Sequence, residues 1–250
     1  MNVLIIGVGT VGGNLAKELA VLKPHLYDKY KGIDTRQEGL RYDAAFVCVD
    51  TPMTDGSTCD ISEVRAAIRE NDAGVFVIKS TVLPGTTEKL AEETGKNIIF
   101  SPEYYGGTQH CNNFCFPFTI LGGKKEACVR VVQILQHVYD GTHSFRITDP
   151  RTAELVKYME NSYLAMKVSF CQQFFDIAEK TGVCYEELRE LFTLDPRVEA
   201  SHTFVYRDRP YWDSHCLNKD VRAIAEAYDA RLLLDVIGFN ESRKQPGYGE

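Results

Sequence analysis

The first twelve residues restrict the fold more than any other stretch of the chain. Val3-Leu4-Ile5-Ile6 is a short apolar run that reads as a fully buried strand. Gly7-Val8-Gly9-Thr10-Val11-Gly12 follows without a spacer, and an amphipathic run from Asn14 to Leu22 comes next. Strand, G-x-G-x-x-G and helix in this order form the opening of a dinucleotide-binding unit. Gly7 permits the tight turn, Gly9 lets a pyrophosphate approach the backbone, and Gly12 allows close packing of helix on strand. The N-terminus of the helix faces the phosphates, and Thr10 and Val11, within the same loop, join the three glycines as cofactor-binding residues. The competing reading is a glycine-rich turn that holds no ligand. A site of this kind also wants an acid at the end of the second strand, to hold the adenosine ribose. Leu26-Tyr27-Asp28 supplies one. An acid there favours NAD over NADP, because it repels a 2′-phosphate, and Lys29 directly after it moderates the preference.

The strand–helix alternation continues. Ala44 to Val49 reads as a strand ending in Asp50-Thr51-Pro52, with a helix after it that Asp60 or Ser62 would cap. Val75 to Ile78 is another strand and leads into Lys79-Ser80-Thr81-Val82-Leu83-Pro84-Gly85-Thr86, where Thr86 would cap the helix running to about Glu93. Ile98 to Phe100 is followed by Ser101-Pro102-Glu103-Tyr104-Tyr105. Each strand thus delivers a polar loop to one edge, which is where an open α/β sheet places its ligand contacts: Val49, Thr51 and Pro52 from one loop, Ser80 and Thr81 from the next. A loop rich in Gly, Asn and Cys spans 106–116. A strand at Phe118 to Leu121, a helix from Lys124 to Tyr139 and a strand at Ser144 to Arg146 complete this half.

From Arg151 the pattern is helical only. Ala153 to Thr181 carries apolar residues at helical spacing with no proline or glycine, which is long for a globular helix. Glu154, Lys157 and Asn161 fall on one face of it. They form either a solvated polar stripe or a functional face, and the apolar neighbours Leu155, Tyr158, Met159, Tyr163 and Leu164 argue against free surface. The expected fold is α/β: a Rossmann-type doubly wound parallel sheet (1–148), then an all-helical domain with a long central helix (149–250).

That second half contains Cys216-Leu217-Asn218-Lys219-Asp220. A nucleophile, a cation and a carboxylate lie within little more than one helical turn. At a helix N-terminus the dipole would favour the thiolate of Cys216, Lys219 would add positive charge, and Asp220 would face the same side. The plainer reading is a buried cysteine ahead of an exposed Lys-Asp pair.

Composition excludes several classes. A net charge of −7 gives no electrostatic footprint for nucleic acid. No apolar run spans a bilayer, and the start of the chain has no charged region or cleavage site of a signal peptide. The 8 cysteines are scattered, so reduced thiols in a cytoplasmic protein are expected. His110, Cys111 and Cys115 lack a second ligand pair at suitable spacing, so no metal site is expected.

Taken together, the motifs resemble the UDP-glucose/GDP-mannose dehydrogenase family, the NAD-dependent sugar-nucleotide 6-dehydrogenases. The matching pieces are Gly7–Gly12; Val47-Cys48-Val49-Asp50-Thr51-Pro52 with Gly56 and Asp60; Ser80 to Thr86; Ser101-Pro102-Glu103; Glu154, Lys157 and Asn161; Asp195-Pro196-Arg197; and Cys216 with Lys219 and Asp220. The resemblance implies oxidation of a sugar's primary alcohol to the uronic acid in two hydride transfers to NAD. Cys216 would carry the thiohemiacetal and thioester. Lys157 and Asn161 would face the oxyanion, Asp220 and Thr81 would handle protons and water with help from Glu103, and Lys219 would contact cofactor and substrate. Glu103, Lys157 and Asn161 would also hold the sugar, and Arg197 would reach a substrate across a homodimer built on the long helix.

The departures are specific. The family's second glutamate, four residues beyond Glu103, is Gly107. Tyr211-Trp212-Asp213-Ser214-His215 replaces the glycine-rich approach to the cysteine. Phe116-Pro117-Phe118-Thr119 replaces a Pro-Asp-Arg. The resemblance also implies a short form without the family's third, UDP-binding domain. The expected activity is therefore oxidation of a UDP-glucose-like nucleotide sugar. The alternatives are a non-catalytic NAD-binding module or modulator of a longer relative, and a 3-hydroxyacid or 6-phosphogluconate-type reductase with no cysteine step.

Overall fold

Alternation along the first strand sets the layers of the N-terminal half. The computed structural model describes residues 1–54, 59–105 and 116–244. In β1 (Val3–Ile6), Val3 and Ile5 point to one face of the sheet and Leu4 and Ile6 to the other, as the pleat requires. All four are buried, so the sheet is covered on both sides. The Val3 and Ile5 face packs on Leu15 and Leu19 from and after α1 (Thr10–Glu18), and on Cys128, Val131 and Leu135 of α4 (Lys125–Leu135). The Leu4 and Ile6 face packs on Val64, Ala67 and Ile68 of α2 (Ser62–Arg69) and on Leu90 of α3 (Thr86–Thr94).

The remaining strands are β2 (His25–Asp28), β3 (Ile33–Asp34), β4 (Ala44–Val47), β5 (Phe76–Ile78), β6 (Ile98–Phe100), β7 (Phe118–Gly122) and β8 (Ser144–Thr148). They lie in the order β3-β2-β1-β4-β5-β6-β7-β8. The central strands run parallel, while β3 on β2 and β7 on β6 run antiparallel. The strand order reverses between β1 and β4, and that switch point opens a crevice at their carboxyl ends. β3 is an edge strand whose two residues are too few to show alternation in the sequence.

Helix starts differ from the sequence expectation for identifiable reasons. α1 begins at Thr10 rather than Asn14, because the Gly12-Gly13 pair hides a helical turn whose propensity is poor. α3 is not capped by Thr86, whose hydroxyl bonds the Leu83 carbonyl instead. Its N-cap is Gly85 at φ 95°, which has no side chain to cap with. The cap comes from Glu154. One carboxylate oxygen accepts from the Gly85 N–H (2.6 Å), and the other from the N–H (2.8 Å) and hydroxyl (2.6 Å) of Thr87.

The long helix is α5 (Pro150–Thr181), with proline in its first turn and Asp149 accepting from the Thr152 N–H at 2.9 Å. The described chain divides into two compact units, the first ending at Lys157 and the second starting at Tyr158. The second unit continues through α6 (Tyr185–Phe192), α7 (His215–Ala227) and α8 (Arg231–Ser242). Its core gathers Ala165, Trp212, Val221, Ala225, Val236 and Ile237, with Cys171, Phe175, Ala178 and Tyr185 as a second cluster. Gly56, Gly107, His110, Cys111, Cys115 and the tail from Gln245 lie outside the described residues.

Candidate active site

The glycine loop has the geometry its sequence calls for. Gly7 sits at φ 86°, and a Cβ there would lie 2.7 Å from the Cys48 carbonyl oxygen. A Cβ on Gly12 would lie 1.9 Å from the Gly7 oxygen, so only glycine fits either position. Gly9 is different: a Cβ on it would meet nothing within 4 Å. Gly9 is also the N-cap of α1, and no side chain caps that helix. The N–H groups of its first turn, at Thr10 and Val11, are left for a ligand.

Asp28 closes β2 beside this loop. One carboxylate oxygen accepts from the Val8 N–H at 2.8 Å, and the other from the N–H groups of Tyr30 and Lys31 at 3.1 Å each. Lys31 also reaches back, its ammonium 2.7 Å from the Val8 carbonyl. Both polar groups of Val8 are therefore held. Burial works to raise the Asp28 pKa, but the N–H bonds from Val8, Lys31 and Tyr30 and the Lys31 charge outweigh it and hold the carboxyl below its ordinary range. Each carboxylate oxygen has two lone-pair sites, so Asp28 keeps acceptor capacity for a ribose. Lys29 is drawn to Glu63 at 2.7 Å.

The loops after β4 and β5 are tied together. The Thr51 hydroxyl donates to the Thr81 carbonyl at 2.8 Å, and the Ser80 hydroxyl to that of Val49 at 2.6 Å. Pro52 is exposed next to buried Thr51. After β6, Glu103 is buried and accepts from the Tyr105 N–H at 2.8 Å. The Lys157 ammonium lies 5.4 Å from the centre of the Tyr104 ring, a cation–π contact. That ring packs on Phe116 and Phe118, the residues that replace the expected Pro-Asp-Arg.

Glu154, Lys157 and Asn161 are all buried, while Leu155, Met159 and Tyr163 on the other side of α5 are 49%, 74% and 55% exposed. The stripe is not solvated. The expectation that the apolar neighbours fill the interior holds for Tyr158 and fails for these three.

In the second unit, Asn161 donates to one oxygen of Asp220 at 2.6 Å, and the Lys219 ammonium lies 2.7 Å from the other. Asp220 is 1% exposed. The plainer alternative of an exposed Lys-Asp pair is thereby excluded. Cys216 is exposed, in the first turn of α7, and the Ser214 hydroxyl caps that helix by accepting from the Leu217 N–H at 3.1 Å. The helix N-terminus favours negative charge at that position. Cys48 is the opposite case, its pKa pushed up by burial to about 12 against the pull of Lys79. Arg197 is folded back on Asp195, 2.6 Å away, with its side chain 88% exposed.

The bulky segment before Cys216 is anchored rather than open. Asn240 pairs with Trp212, donating to its carbonyl (2.9 Å) and accepting from its N–H (2.8 Å), while the indole N–H reaches Ser169 (2.9 Å). The Arg243 guanidinium grips Asp176 at 2.5 and 3.0 Å and bonds the Pro210 carbonyl.

Comparison with known proteins identifies the family. The NAD binding domain of the UDP-glucose/GDP-mannose dehydrogenase family matches residues 30–143, and its central domain matches residues 151–242. The chain belongs to the UDP-glucose/GDP-mannose dehydrogenase family. The match starts beyond the glycine loop, which the fold supplies independently. The UDP-glucose 6-dehydrogenase of Rhizobium meliloti is 30% identical over 225 residues, which is 81% of this chain and 51% of that protein. That of Rickettsia prowazekii is 28% identical over 223 residues, 82% of this chain and 51% of the relative. The chain thus spans about half the length of these relatives. In fold it is similar to a UDP-glucose dehydrogenase from Pyrobaculum islandicum, with a TM-score of 0.78 at 24% identity over 96% of this chain and 68% of that one. The GDP-mannose dehydrogenase of Pseudomonas aeruginosa gives 0.64 at 23%, over 97% and 69%.

The family's cofactor is NAD. Uncapped α1, open Gly9 and Asp28 suit it: N–H donors for a pyrophosphate and a carboxylate for ribose hydroxyls. Among the described residues, no three metal-binding side chains lie together, and no helix is long and apolar enough to cross a membrane.

Asp28→Asn is expected to weaken NADH binding about tenfold, the equivalent of one charged hydrogen bond, in a fluorescence titration. The pH dependence has a definite sign. The folded pKa of Asp28 is lowered, so its contribution to stability is complete above the ordinary carboxylate range. It is lost as pH falls through the lowered folded value. Denaturation curves on the acid side should be shallower in pH for the variant than for the wild type.

Proposed function

We propose that the chain oxidises the primary alcohol of a UDP-glucose-like nucleotide sugar to the uronic acid, in two oxidations that share one cysteine. The observation that carries this reading is the buried Asn161–Asp220–Lys219 set, one turn along α7 from exposed Cys216. NAD, when bound, accepts a hydride in each oxidation. Asp220 takes the alcohol proton, and Thr81 and Glu103 hold a water for proton transfer, the roles that the family resemblance implies. The Cys216 thiolate then adds to the aldehyde carbon: a C–S bond forms and the carbonyl electron pair moves to oxygen. The Lys157 ammonium and the second N–H of the Asn161 amide donate to that oxyanion. After the second oxidation the thioester is cleaved by water, which returns the thiolate and releases the acid. The balance is one alcohol, two NAD⁺ and one water giving one acid, two NADH and two protons. Lys219 keeps Asp220 oriented and contacts cofactor and substrate.

In this reading residues 1–148 form the NAD-binding domain and 149–250 the helical domain carrying the cysteine. The protein works in the cytoplasm, where thiols stay reduced. It works as a homodimer through α5. Support for the dimer is the exposed stripe Leu155, Met159 and Tyr163, continued by Phe170, Phe174 and Ile177. Apolar side chains in such a row mark an interface. Met159→Glu with Tyr163→Glu is expected to weaken self-association at least ~100-fold, the result of two charges in an apolar contact. Light scattering would read it as a monomer, and an unchanged mass would remove α5 as the interface. Arg197 then serves the partner's substrate.

Trp212 and its anchors favour a second reading, an NAD-binding modulator of a longer relative, because a fixed bulky segment stands where the family resemblance expects glycine. A panel of UDP- and GDP-sugars with NAD decides between the two. NADH formation supports the enzyme, and NAD binding without turnover of any sugar supports the modulator.

A further inference from the structure

Lys79 is a cation that the reaction above does not use. It follows β5 and is partly buried, and its ammonium bonds the Ser101 hydroxyl at 3.2 Å and the Pro102 carbonyl at 3.3 Å. Both partners are neutral, both belong to buried residues, and both lie in the turn that presents Glu103. Among the described residues no carboxylate comes within ion-pair distance of Lys79, although a sequestered ammonium is normally paired. The titratable groups that bear on it are Glu103 after β6, Cys48 after β4, Glu18 on α1 and Lys157 on α5. Tyr105, at the far end of the same turn, donates its hydroxyl to Glu18. The turn is thus fixed at both ends, at Ser101 and Pro102 by Lys79 and at Tyr105 by Glu18.

We propose that Lys79 is a positioning residue for the proton-handling side of the site: it ties the end of β5, which carries Thr81, to the turn after β6, which carries Glu103. This rests on the dehydrogenase reading above. Thr81 and Glu103 share one water in that reading, so the spacing of the two loops decides whether the water is in line. A lysine performs this in a way a neutral residue cannot. Its ammonium offers three donors to two acceptors and brings a positive charge whose field reaches Glu103 and Lys157. Burial pulls the ammonium below the ordinary lysine value; Glu103, Cys48 and Glu18 oppose that, and Lys157 presses it lower.

The test uses the full chain with Lys79→Met and Lys79→Arg beside the wild type. Lys79→Met is expected to lower kcat about 10- to 100-fold, the range of a displaced acid–base group. KM for NAD should stay unchanged and the pH profile of kcat should move. Lys79→Arg, which keeps charge and donors, should recover part of the rate. Independently of turnover, the Lys79 amine followed by NMR should titrate below the surface lysines. That measurement, with the arginine variant, stands even if the methionine variant does not fold. A Lys79→Met protein with the wild-type kcat and pH profile, or a Lys79 that titrates with the surface lysines, overturns the proposal. A wild type that turns over beside an unaffected variant removes this role alone; a wild type with no turnover removes the reaction and this role together.

Discussion

Cys216→Ala is expected to abolish formation of the acid, with a fall of at least about 10⁴-fold in turnover, the scale seen when a nucleophile is removed from a set that acts as a unit. NADH binding should be unchanged, because the proposed cofactor contacts on the glycine loop and Asp28 lie in the first unit, and Lys219, the proposed contact from the second, is kept. The variant still has Asp220, Thr81 and Glu103, so it retains the groups proposed for the first oxidation. NADH yield per sugar should therefore fall to one or less, read by absorbance against sugar consumed. Thiol labelling followed by peptide mapping gives the same contrast without substrate. Exposed Cys216 should react readily, whereas buried Cys48, its thiol pushed up to about 12, should stay unmodified until the protein unfolds.

The second large effect is on stability. Arg243→Met removes a guanidinium that is fully buried, grips Asp176 through two bonds and holds the Pro210 carbonyl. Breaking a buried pair by deleting one partner costs about 3–5 kcal/mol, and the Asp176 side chain, 20% exposed, places this case near the lower end. Urea denaturation should show that loss. The segment through Trp212 and Ser214 should also loosen, because Pro210 and the pairing of Trp212 with Asn240 on α8 form one continuous anchorage. A variant with wild-type stability would mean that this anchorage contributes little. The same experiment on Asn240→Ala, which leaves both polar groups of the Trp212 backbone unpaired, separates the loop's contribution from that of the ion pair.

Parts of this architecture were legible in the chain because they are local. A strand, G-x-G-x-x-G and a helix specify a backbone path that only glycine can follow at positions 7 and 12, and the contacts a Cβ would make there show why. The acid at Asp28 was legible from its place at a strand end. What stayed hidden depends on residues far apart in sequence. Nothing near Gly85 announces that its helix is capped by Glu154, whose position on α5 reads only as one member of a polar stripe. Trp212 looked like an intrusion into a glycine-rich approach. Its partners, Ser169 and Asn240, come from two other helices, so its anchoring could not be read from the local stretch. Helical periodicity showed that α5 has polar and apolar faces without showing which is inside. The buried side carries Glu154, Lys157 and Asn161, and the exposed side carries Leu155, Met159 and Tyr163, the reverse of the usual order. Lys79 was in view beside Ser80 and Thr81, but a lysine at a strand end reads as solvated until its acceptors at Ser101 and Pro102 are known.

The proposed reaction requires a covalent sugar bound to Cys216. A reaction of the full chain with NAD and a UDP-sugar, quenched in acid during turnover and read by peptide mass spectrometry, measures this directly. A sugar acyl mass on the peptide that contains Cys216, absent without NAD and absent in Cys216→Ser, is the predicted result. NADH formation with an unmodified Cys216 peptide at every quench time, and with full turnover in Cys216→Ser, would contradict it.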